Sequence, residues 1–380
     1  MKNKIANVKI SKRLILISAS VVAAAVILSI VLLSTKNKDA AEVFAPDDDP
    51  PVITTTAPAT QTPPKEEEIH EGTLSPLTGL YVDDDIAQKR PVAIMINNFQ
   101  AALPQYGISR ASIVYECLAE GGITRLMCVM NDYEGITQLG PVRSARDYYA
   151  QMAQNHPGSI YIHYGKSPQA QALMQKYAIK HIDGISYLDT IMFWRDSDRV
   201  KKGLYEHSAF TSGERIDEGL SLEDLDLTTD DMAPSFDFYE KDTTPVGERA
   251  GNLKISYSYY IKPEFKYDEE TKEYLRFQFG EKHTDALYDD VQLSFKNVII
   301  IETSIKDIPK DPELRIEVEV TGEHRGYYFT NGVYKEITYK KADVNSVPKY
   351  YDKDGGELKV NPGKTFISYV SSLKSVTIEN

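Results

Sequence analysis

An uncharged stretch, residues 14–33, constrains this chain of 380 residues more than any other feature. A helix needs about 20 apolar residues to cross the hydrocarbon core of a bilayer. The sequence after it, residues 32–36, is a poor signal-peptidase site. We therefore predict a cytoplasmic tail (residues 1–13), an uncleaved single-pass plasma-membrane anchor (residues 14–33), and folded domains outside the cytoplasm. The cytoplasmic N-terminus is favoured by five basic residues with no acid among them: Lys2, Lys4, Lys9, Lys12 and Arg13.

Residues 34–72 are predicted to form a disordered stalk. Runs rich in proline, threonine and acidic residues occupy positions 47–51, 54–58 and 63–68. Such a segment buries too little apolar surface to fold, and its prolines keep the backbone extended. The stalk would hold the folded part of the protein away from the membrane.

The pattern of residues 73–240 predicts an N-terminal α/β domain with a mixed sheet. Short apolar runs typical of buried strands cover residues 91–96, 112–118, 124–130 and 159–163. Helices are predicted at residues 142–154 and from Pro168 onward, the second with Ser167 as its cap. Strands that alternate with helices indicate an α/β layer.

Residues 250–380 predict a different architecture, a mainly antiparallel β-rich domain. Strand-like segments cover residues 253–260, 275–279, 297–301, 314–320 and 324–329, and Asn331-Gly332 is a strong hairpin signal. An acidic segment, residues 223–244, joins the two regions. The fold class expected for the whole chain is therefore α+β, preceded by one transmembrane helix and a disordered linker.

The segment 140–146 is the first candidate ligand site. Pro141 suits the first position of a helix, which would put Arg143 and Arg146 on one face of its first turns. Two guanidiniums beside free helix N–H groups would bind a phosphate or a carboxylate. Such an anion would offset the unfavourable placement of cations at that end of the helix dipole. In the alternative interpretation each arginine pairs with an internal acid: Glu116, Glu120 or Asp147.

Glu116, Glu120 and Arg125 lie around the Gly121-Gly122 turn, where strands end. Ligands of open α/β sheets bind at the carboxyl ends of strands. Two carboxylates near two arginines could do acid–base chemistry or hold a divalent metal over a phosphate. A structural network of ion pairs is the alternative, and no catalytic residue can be assigned.

Two further loops contribute candidates for ligand binding. His163 ends a strand, and the loop to Ser167 opens a helix, so this loop is a possible second anion site; a hydrogen-bonded structural histidine is the alternative. His207 follows a charged loop, in which Trp194 and Tyr205 could stack on sugars. For Trp194 a place in the core is an equally good interpretation.

Composition limits the partners. The net charge is -13 and the isoelectric point is near 5.1, which does not suit the phosphate contacts that drive nucleic-acid binding. Cys117 and Cys128 are the only cysteines, and either a disulfide or two buried thiols would fit their positions. No zinc-binding spacing is present, so we expect no metal site and no cofactor.

Several motifs lie at residues 90–98, 113–116, 120–125, 140–146, 167–170, 297–298, Gly332 and 361–365. Together they resemble the YerB-like lipoproteins, the family defined by the N- and C-terminal domains of unknown function 3048. The resemblance runs from about residue 74 to the end and implies a two-domain, extracytoplasmic, membrane-attached bacterial protein. It implies no established activity.

Three departures from that family pattern stand out. Members are typically tethered through a lipidated cysteine, whereas this chain has the apolar stretch 14–33. The family usually has Asp-Asn where this chain has Asn97-Asn98, and His-Asn where it has His207-Ser208. A catalytic or metal-binding role for Asn97 or Ser208 is therefore not expected.

The function expected from these observations is binding of an anionic cell-envelope ligand, either peptidoglycan or a phosphate-bearing wall polymer. Arg143 and Arg146 would hold the anion, with Arg125 in support and Glu116 or Glu120 as polar partners. One alternative is a metal-assisted envelope glycopolymer phosphotransferase or hydrolase. Another is a non-catalytic scaffold whose partner is a membrane protein.

Overall fold

The computed structural model describes residues 71–380, and its first strand begins at Thr73. The predicted cytoplasmic tail, the predicted anchor and the stalk up to residue 70 lie outside the described residues. Among residues 71–380, none of the helices has both the length and the apolar composition to span a bilayer.

The helices of the described region are short, with at most ten residues each. Ser167 caps one of them, its hydroxyl accepting a hydrogen bond from the Ala170 amide at 3.1 Å, and Pro168 is the first helical residue, as predicted. The helices are α1 (Asp84–Gln88), α2 (Asp147–Ala153), α3 (Pro168–Tyr177), α4 (Asp189–Met192), α5 (Ser197–Lys201) and α6 (Gly213–Leu222). Single 3-10 turns cover Gln100–Ala102, Ile108–Arg110, Glu120–Gly122, Tyr205–His207 and Leu373–Ser375.

Strands make up most of the remaining regular structure. In the N-terminal region they are β1 (Thr73–Leu74), β2 (Tyr81–Val82), β3 (Val92–Asn97), β4 (Ile113–Leu118), β5 (Thr124–Met130), β6 (Ile160–His163), β7 (His181–Asp183), β8 (Trp194–Arg195), β9 (Ala209–Phe210) and β10 (Asp237–Phe238). In the C-terminal region they are β11 (Glu248–Arg249), β12 (Asn252–Ile255), β13 (Glu264–Asp268), β14 (Glu273–Gln278), β15 (Glu281–Lys282), β16 (Thr284–Asp285), β17 (Val291–Gln292), β18 (Ser294–Phe295), β19 (Asn297–Glu302), β20 (Ile305–Asp307), β21 (Ile316–Val318), β22 (Gly322–Thr330), β23 (Val333–Lys341), β24 (Lys349–Asp352), β25 (Lys359–Val360), β26 (Thr365–Val370) and β27 (Val376–Glu379).

One large mixed sheet runs through both regions. Its order is β11-β23-β22-β19-β26-β4-β5-β3-β6-β7, with β24 paired beside β23. β5 is antiparallel to β3 and β4, β6 is parallel to β3 and β7, and β26 is parallel to both β19 and β4. The mixed sheet predicted for the N-terminal region is therefore present, in a strand-rich α/β fold.

Both faces of the large sheet are covered, which explains the near-continuous apolar runs of β3 and β5. On one face, Tyr149 and Met152 of α2 and Met174 of α3 pack in one cluster of buried residues. On the other face lies a second, antiparallel sheet, β15-β14-β13-β12-β27, with β18 beside β14. Phe265 and Phe295 of that second sheet belong to the other buried cluster.

The two predicted domains are not separate bodies. Residues 71–380 lie in one compact unit, because β26 of the C-terminal region lies between β19 and β4 in the same sheet. A parallel neighbour needs a long connection, and here that connection spans most of the chain. The segment between residues 240 and 250 is therefore a link within one body.

The predicted helix 142–154 is wrong at its start. The structure has α2 only from Asp147, with Arg146 in an extended conformation before it. Residues 140–146 are instead held by backbone hydrogen bonds: the Arg143 amide donates to the Met95 carbonyl at 3.0 Å, and the Ala145 amide to the Gly165 carbonyl at 2.9 Å. Pairing with β3 and the β6–α3 loop overrides the helical signal of Pro141, so the argument from helix N–H groups fails.

Cys117 and Cys128 are buried free thiols. Cys117 lies opposite Arg125 in the β4–β5 pair, and Cys128 lies opposite Val114. Because successive side chains in a strand alternate between faces, the two sulfurs lie on opposite faces of the sheet and cannot form a disulfide.

Candidate functional site

The residues predicted to bind a ligand gather near one edge of the large sheet. Strands β3, β4, β6 and β7 run in the same direction and end there at Asn97, Leu118, His163 and Asp183. β5 begins at the same edge, which brings Arg125 beside Asn97 in register. The carboxyl ends of strands are the usual place for ligands in such sheets.

Glu120 joins Arg125 to Arg146 at this edge. Its Oε1 atom accepts a hydrogen bond from each of the two guanidiniums, and its Oε2 atom lies 3.0 Å from Nε of Arg146. Arg125 is buried and also donates to the Ser144 carbonyl at 2.5 Å, while Arg146 donates to the Ala145 carbonyl at 2.7 Å. Two positive charges therefore share one carboxylate, which leaves one positive charge in excess.

Charge and burial compete in this triad. Burial raises the pKa of Glu120, but the charges and hydrogen bonds of Arg125 and Arg146 outweigh it and hold that pKa below its usual range. Burial, followed by the charge of Arg146, lowers the pKa of Arg125 to about 10. Because the pKa of Glu120 is lowered, its carboxylate is ionised at neutral pH and does not serve there as a proton donor.

Arg143 is the most accessible of the three arginines. Its Nη2 atom lies 2.7 Å from Oε2 of Glu206, and the side chains of Arg143 and Glu206 are 23% and 72% exposed. The hydrogen bond and charge of Arg143 hold the pKa of Glu206 below its usual range. Glu206 belongs to the 3-10 turn Tyr205–His207, and nothing in its local sequence marks it as a partner of Arg143.

His207 reaches the same edge from that turn. Its Nδ1 atom lies 2.7 Å from Nδ2 of Asn97, and its ring stacks on Phe99. Burial, and after it the charge of Arg143, lower the pKa of His207. Ser208 is buried and its hydroxyl donates to the Tyr205 carbonyl at 2.7 Å, which closes the turn.

Glu116 does not join this cluster, so the expected pair of carboxylates is not formed. It faces the opposite side of the sheet from Arg125, because Arg125 lies opposite the neighbouring residue Cys117 in the β4–β5 pair. There Glu116 forms a fully buried ion pair with Arg276 at 2.8 Å. It also accepts hydrogen bonds from Asn98 and Thr124 at 2.9 and 2.7 Å.

Arg276 is a structural partner that the sequence analysis missed. It lies in β14, whose buried positions alternate with half-exposed ones. A polar residue in the buried register of an alternating strand was the signal that could have found it. Burial and the charge of Arg276 lower the pKa of the neighbouring His283 well below its usual range.

The loop after β6 is filled from within. His163 is buried, with Nδ1 at 2.8 Å from the Gly165 carbonyl, and burial lowers its pKa to about 4. The carboxylate of Asp183 accepts from the Gly165 amide at 2.8 Å and from Lys166 Nζ at 2.5 Å. Asp183 thus takes the place of an external anion, and Ser167 serves as a helix cap.

Two remaining expectations concern Trp194 and metal binding. Trp194 is half-buried, its ring stacks on Phe210, and the guanidinium of Arg215 lies over it. Across residues 71–380, His, Cys, Asp and Glu side chains form no group of three or more that could hold a metal ion.

Comparison with known proteins gives a consistent result. The N-terminal domain of the proteins of unknown function DUF3048 matches residues 77–226, and their C-terminal domain matches residues 253–367. A relative described as "Putative lipoprotein YerB", from Bacillus subtilis (strain 168), is 33% identical over 307 residues, which is 80% of this chain and 88% of the relative. The crystal structure of the Bacillus subtilis YerB protein superposes with a TM-score of 0.71 at 29% identity, over 81% of this chain and 100% of that one.

Proposed function

We propose that this chain, which belongs to the DUF3048 family of proteins of unknown function, binds an anionic ligand of the cell envelope through Arg143. The ligand carries carboxylate or phosphate groups, as peptidoglycan and phosphate-bearing wall polymers do. The resemblance to this family expected from the motifs is confirmed by the family match.

The observation that carries the proposal is the ion pair between Arg143 and Glu206. The carboxylate is largely exposed, and an exposed ion pair contributes only about 0–1 kcal/mol, so a competing anion can displace it at low cost. A guanidinium can then bind a carboxylate or a phosphate with two parallel hydrogen bonds. Glu206 therefore acts as an internal stand-in for the ligand.

Arg125 and Arg146 have a different role from the one first expected. Both are held by Glu120 and by backbone carbonyls, so they do not contact the ligand. Their excess positive charge lies next to Arg143, whose own charge contributes to lowering the pKa of Arg125. They raise the local potential for an anion and hold the segment 140–146 in place.

The negative charge of the rest of the protein restricts the attraction for an anionic ligand to the arginine cluster. The net charge of -13 repels an anionic polymer from most of the surface, so binding depends on the arginine cluster. We further propose that residues 14–33 anchor the chain in the plasma membrane with the folded part outside. The relative named as a lipoprotein supports attachment to a membrane, and neither Cys117 nor Cys128 is available for a lipid tether because both are buried.

The positions of the Glu116 and Glu120 carboxylates do not support the alternative that the protein is an enzyme. Glu116 and Glu120 lie on different sides of the sheet, and each is already engaged by at least one arginine. A metal held by both, as the phosphotransferase or hydrolase hypothesis requires, does not fit this donor set. The scaffold alternative predicts one stoichiometric protein partner in crosslinking and no retention on wall polymers.

The test is co-sedimentation of the full-length protein, in detergent, with purified peptidoglycan and with peptidoglycan carrying its wall polymer. Arg143→Ala is expected to weaken binding about tenfold. Glu206→Gln is expected to strengthen it about threefold, because the internal competitor is removed. Which of the two preparations binds distinguishes carboxylate from phosphate as the recognised group.

The matched control is Arg325→Ala. Arg325 forms a similar pair with Glu302 at 2.5 Å and is 77% exposed, but it lies on β22, five strand spacings or ~24 Å from β3. This variant should bind as the wild type does. Equal retention of Arg143→Ala and the wild type on both preparations would refute the proposed function.

A further inference from the structure

We infer that the ligand is a glycan whose sugar rings stack on Phe99 and Tyr205 while its anionic group binds Arg143. This inference rests on the proposed function and adds the chemical class of the ligand. It comes from two exposed aromatic rings, Tyr205 and Phe99, that the turn Tyr205–His207 connects to the Arg143–Glu206 pair.

Tyr205 is fixed on one face and open on the other. The guanidinium of Arg195 lies 4.0 Å from the centre of its ring and 4.5 Å from the centre of the Tyr164 ring. Arg195 also donates a hydrogen bond to the Tyr205 carbonyl at 2.6 Å, so the same guanidinium contacts both the ring and the backbone of Tyr205. Even so, Tyr205 is 58% exposed, so its outer surface is presented to solvent.

Phe99 is held in a comparable way. Its amide donates to Oδ1 of Asn97 at 3.1 Å, and its ring stacks on His207 with centroids 5.8 Å apart and an angle of 24° between planes. His207 is fixed in turn by Asn97. Phe99 is nevertheless 40% exposed, so part of its ring remains open to solvent.

The turn Tyr205–His207 brings these features together. Its first residue carries one ring, its second carries the carboxylate that pairs with Arg143, and its third supports Phe99. Two apolar platforms therefore lie next to one accessible cation. An anionic sugar polymer offers the complementary surface, with apolar C–H faces on its rings and a carboxylate or phosphate beside them.

Holding the rings before binding favours this use. A ligand that stacks on an ordered ring does not have to immobilise a mobile side chain, so more of the contact energy appears as affinity. Aromatic side chains suit the task because they present a large apolar surface at a polar site. Single exposed apolar residues need no explanation, but two ordered rings beside an accessible arginine do.

The experiment measures the affinity of the full-length protein in detergent for three probes. The first probe is peptide-free glycan strands of peptidoglycan, which carry both sugar rings and carboxylates. The second is polyglycerol phosphate, which is anionic but has no sugar rings. The third is chitotetraose, which has sugar rings but no charge. The variants are Tyr205→Ala, Phe99→Ala, Tyr205→Phe and Arg143→Ala. Tyr81→Ala in β2 is the control for loss of an exposed tyrosine at the opposite edge of the sheet. β2 is followed by α1, and the Ile86 carbonyl of α1 accepts a hydrogen bond from Asn131, which follows the end of β5 at that edge.

Tyr205→Ala and Phe99→Ala should each weaken binding of the glycan strands about fivefold and leave polyglycerol phosphate binding unchanged. Tyr205→Phe and Tyr81→Ala should bind glycan strands as the wild type does. Arg143→Ala should weaken binding of both anionic probes, and chitotetraose should bind more weakly than the charged strands. Urea unfolding of each variant confirms that the fold is kept.

Two results would distinguish a failure of the glycan inference from a failure of the proposed function. If both aromatic variants bind glycan strands as the wild type does while Arg143→Ala does not, the glycan inference is wrong and the anion site stands. If Arg143→Ala retains wild-type affinity for every anionic probe, the proposed function itself is wrong, and this inference with it.

Discussion

The Nδ2 atom of Asn97 lies 2.7 Å from Nδ1 of His207, so Asn97, where this chain departs from the family pattern, contacts the histidine that directly precedes another departure, Ser208. The Phe99 amide donates to Oδ1 of Asn97 at 3.1 Å, which fixes the orientation of the side-chain amide. Nδ2 must then be the donor, so His207 accepts at Nδ1 and carries its proton on Nε2. Protonation of the ring would break this hydrogen bond, in keeping with the lowered pKa of His207.

Replacing Asn97→Asp should raise the pKa of His207 relative to the wild type. A carboxylate at this position favours the imidazolium, which can donate from Nδ1. The stability gained relative to the wild type would be present at pH below the lowered wild-type pKa and lost as the pH rises through the variant's pKa. An NMR titration of the His207 ring measures the shift. Asn345→Asp, at an exposed position, should leave the pKa unchanged, and a His207 pKa that stays the same or falls in Asn97→Asp would contradict the argument.

Glu120→Gln should destabilise the fold by about 2–3 kcal/mol at neutral pH, because the buried Arg125 loses its charged partner. The folded-state pKa of Glu120 is lowered, so its contribution is present above the unfolded pKa and lost as the pH falls through the folded value. Urea unfolding at neutral pH and in acid should show the difference between wild type and variant shrinking in acid. Glu206→Gln, in an exposed pair, should change the free energy of unfolding by less than ~1 kcal/mol. Similar effects of the two substitutions would count against this account.

Among the ion pairs of the described residues, the Glu116–Arg276 pair should be the one whose disruption by a single substitution lowers the free energy of unfolding most. Both side chains are fully buried, so Glu116→Gln leaves an uncompensated charge and should cost about 3–5 kcal/mol. The double variant Glu116→Gln/Arg276→Met should cost less than the sum of the two single variants. Chemical denaturation measures all three, with the half-exposed pair of Lys254 and Glu264 as the control. Strict additivity would show that the pair is not coupled.

Residues 71–240 and 250–380, expressed separately, should each fail to unfold cooperatively. Without the other fragment, β4 and β26 lose their shared backbone hydrogen bonds and each presents an unpaired strand edge. Mixing the two fragments should restore a cooperative transition, followed by circular dichroism in urea. A fragment that unfolds cooperatively by itself would show that the two regions fold independently.

Cys117 and Cys128 should both be detected as free thiols once the protein is denatured, even after purification without reductant. Burial raises the pKa of each thiol, and both sulfurs are shielded in the fold, so neither reacts in the native protein. A colorimetric thiol assay should detect none in the native state and two per chain after denaturation. Fewer than two in the denatured protein would indicate a bond that the strand register does not permit.

Local sequence patterns predicted strands and helices correctly where pairing with residues distant in the sequence did not override the local signal. β5 was expected at residues 124–130 and is found at Thr124–Met130, and Ser167 caps α3 as its sequence indicates. The start of α2 was predicted wrongly because residues 140–146 pair with backbone from β3 and the β6–α3 loop. A helix signal of a few residues is weak compared with sheet pairing in the buried interior.

The grouping of site residues was only partly predictable. The sequence brings Arg125, Arg143, Arg146 and Glu120 to one sheet edge through the order of strands and turns. It does not reveal that Glu116 is bound to Arg276, 160 positions away, or that Glu206 is the partner of Arg143, 63 positions away. These pairings depend on which strands become neighbours, and that is decided by packing across the whole sheet.

The sequence by itself therefore determined where strands and helices form and which edge of the sheet collects the charged residues, because apolar periodicity and cap chemistry act over a few residues. The tertiary structure alone decided that Arg143 is the most accessible of the three arginines while Arg125 and Arg146 are held by Glu120. Whether a charge meets a ligand or an internal carboxylate depends on burial and on partners from distant elements, and both exist only after the chain has packed.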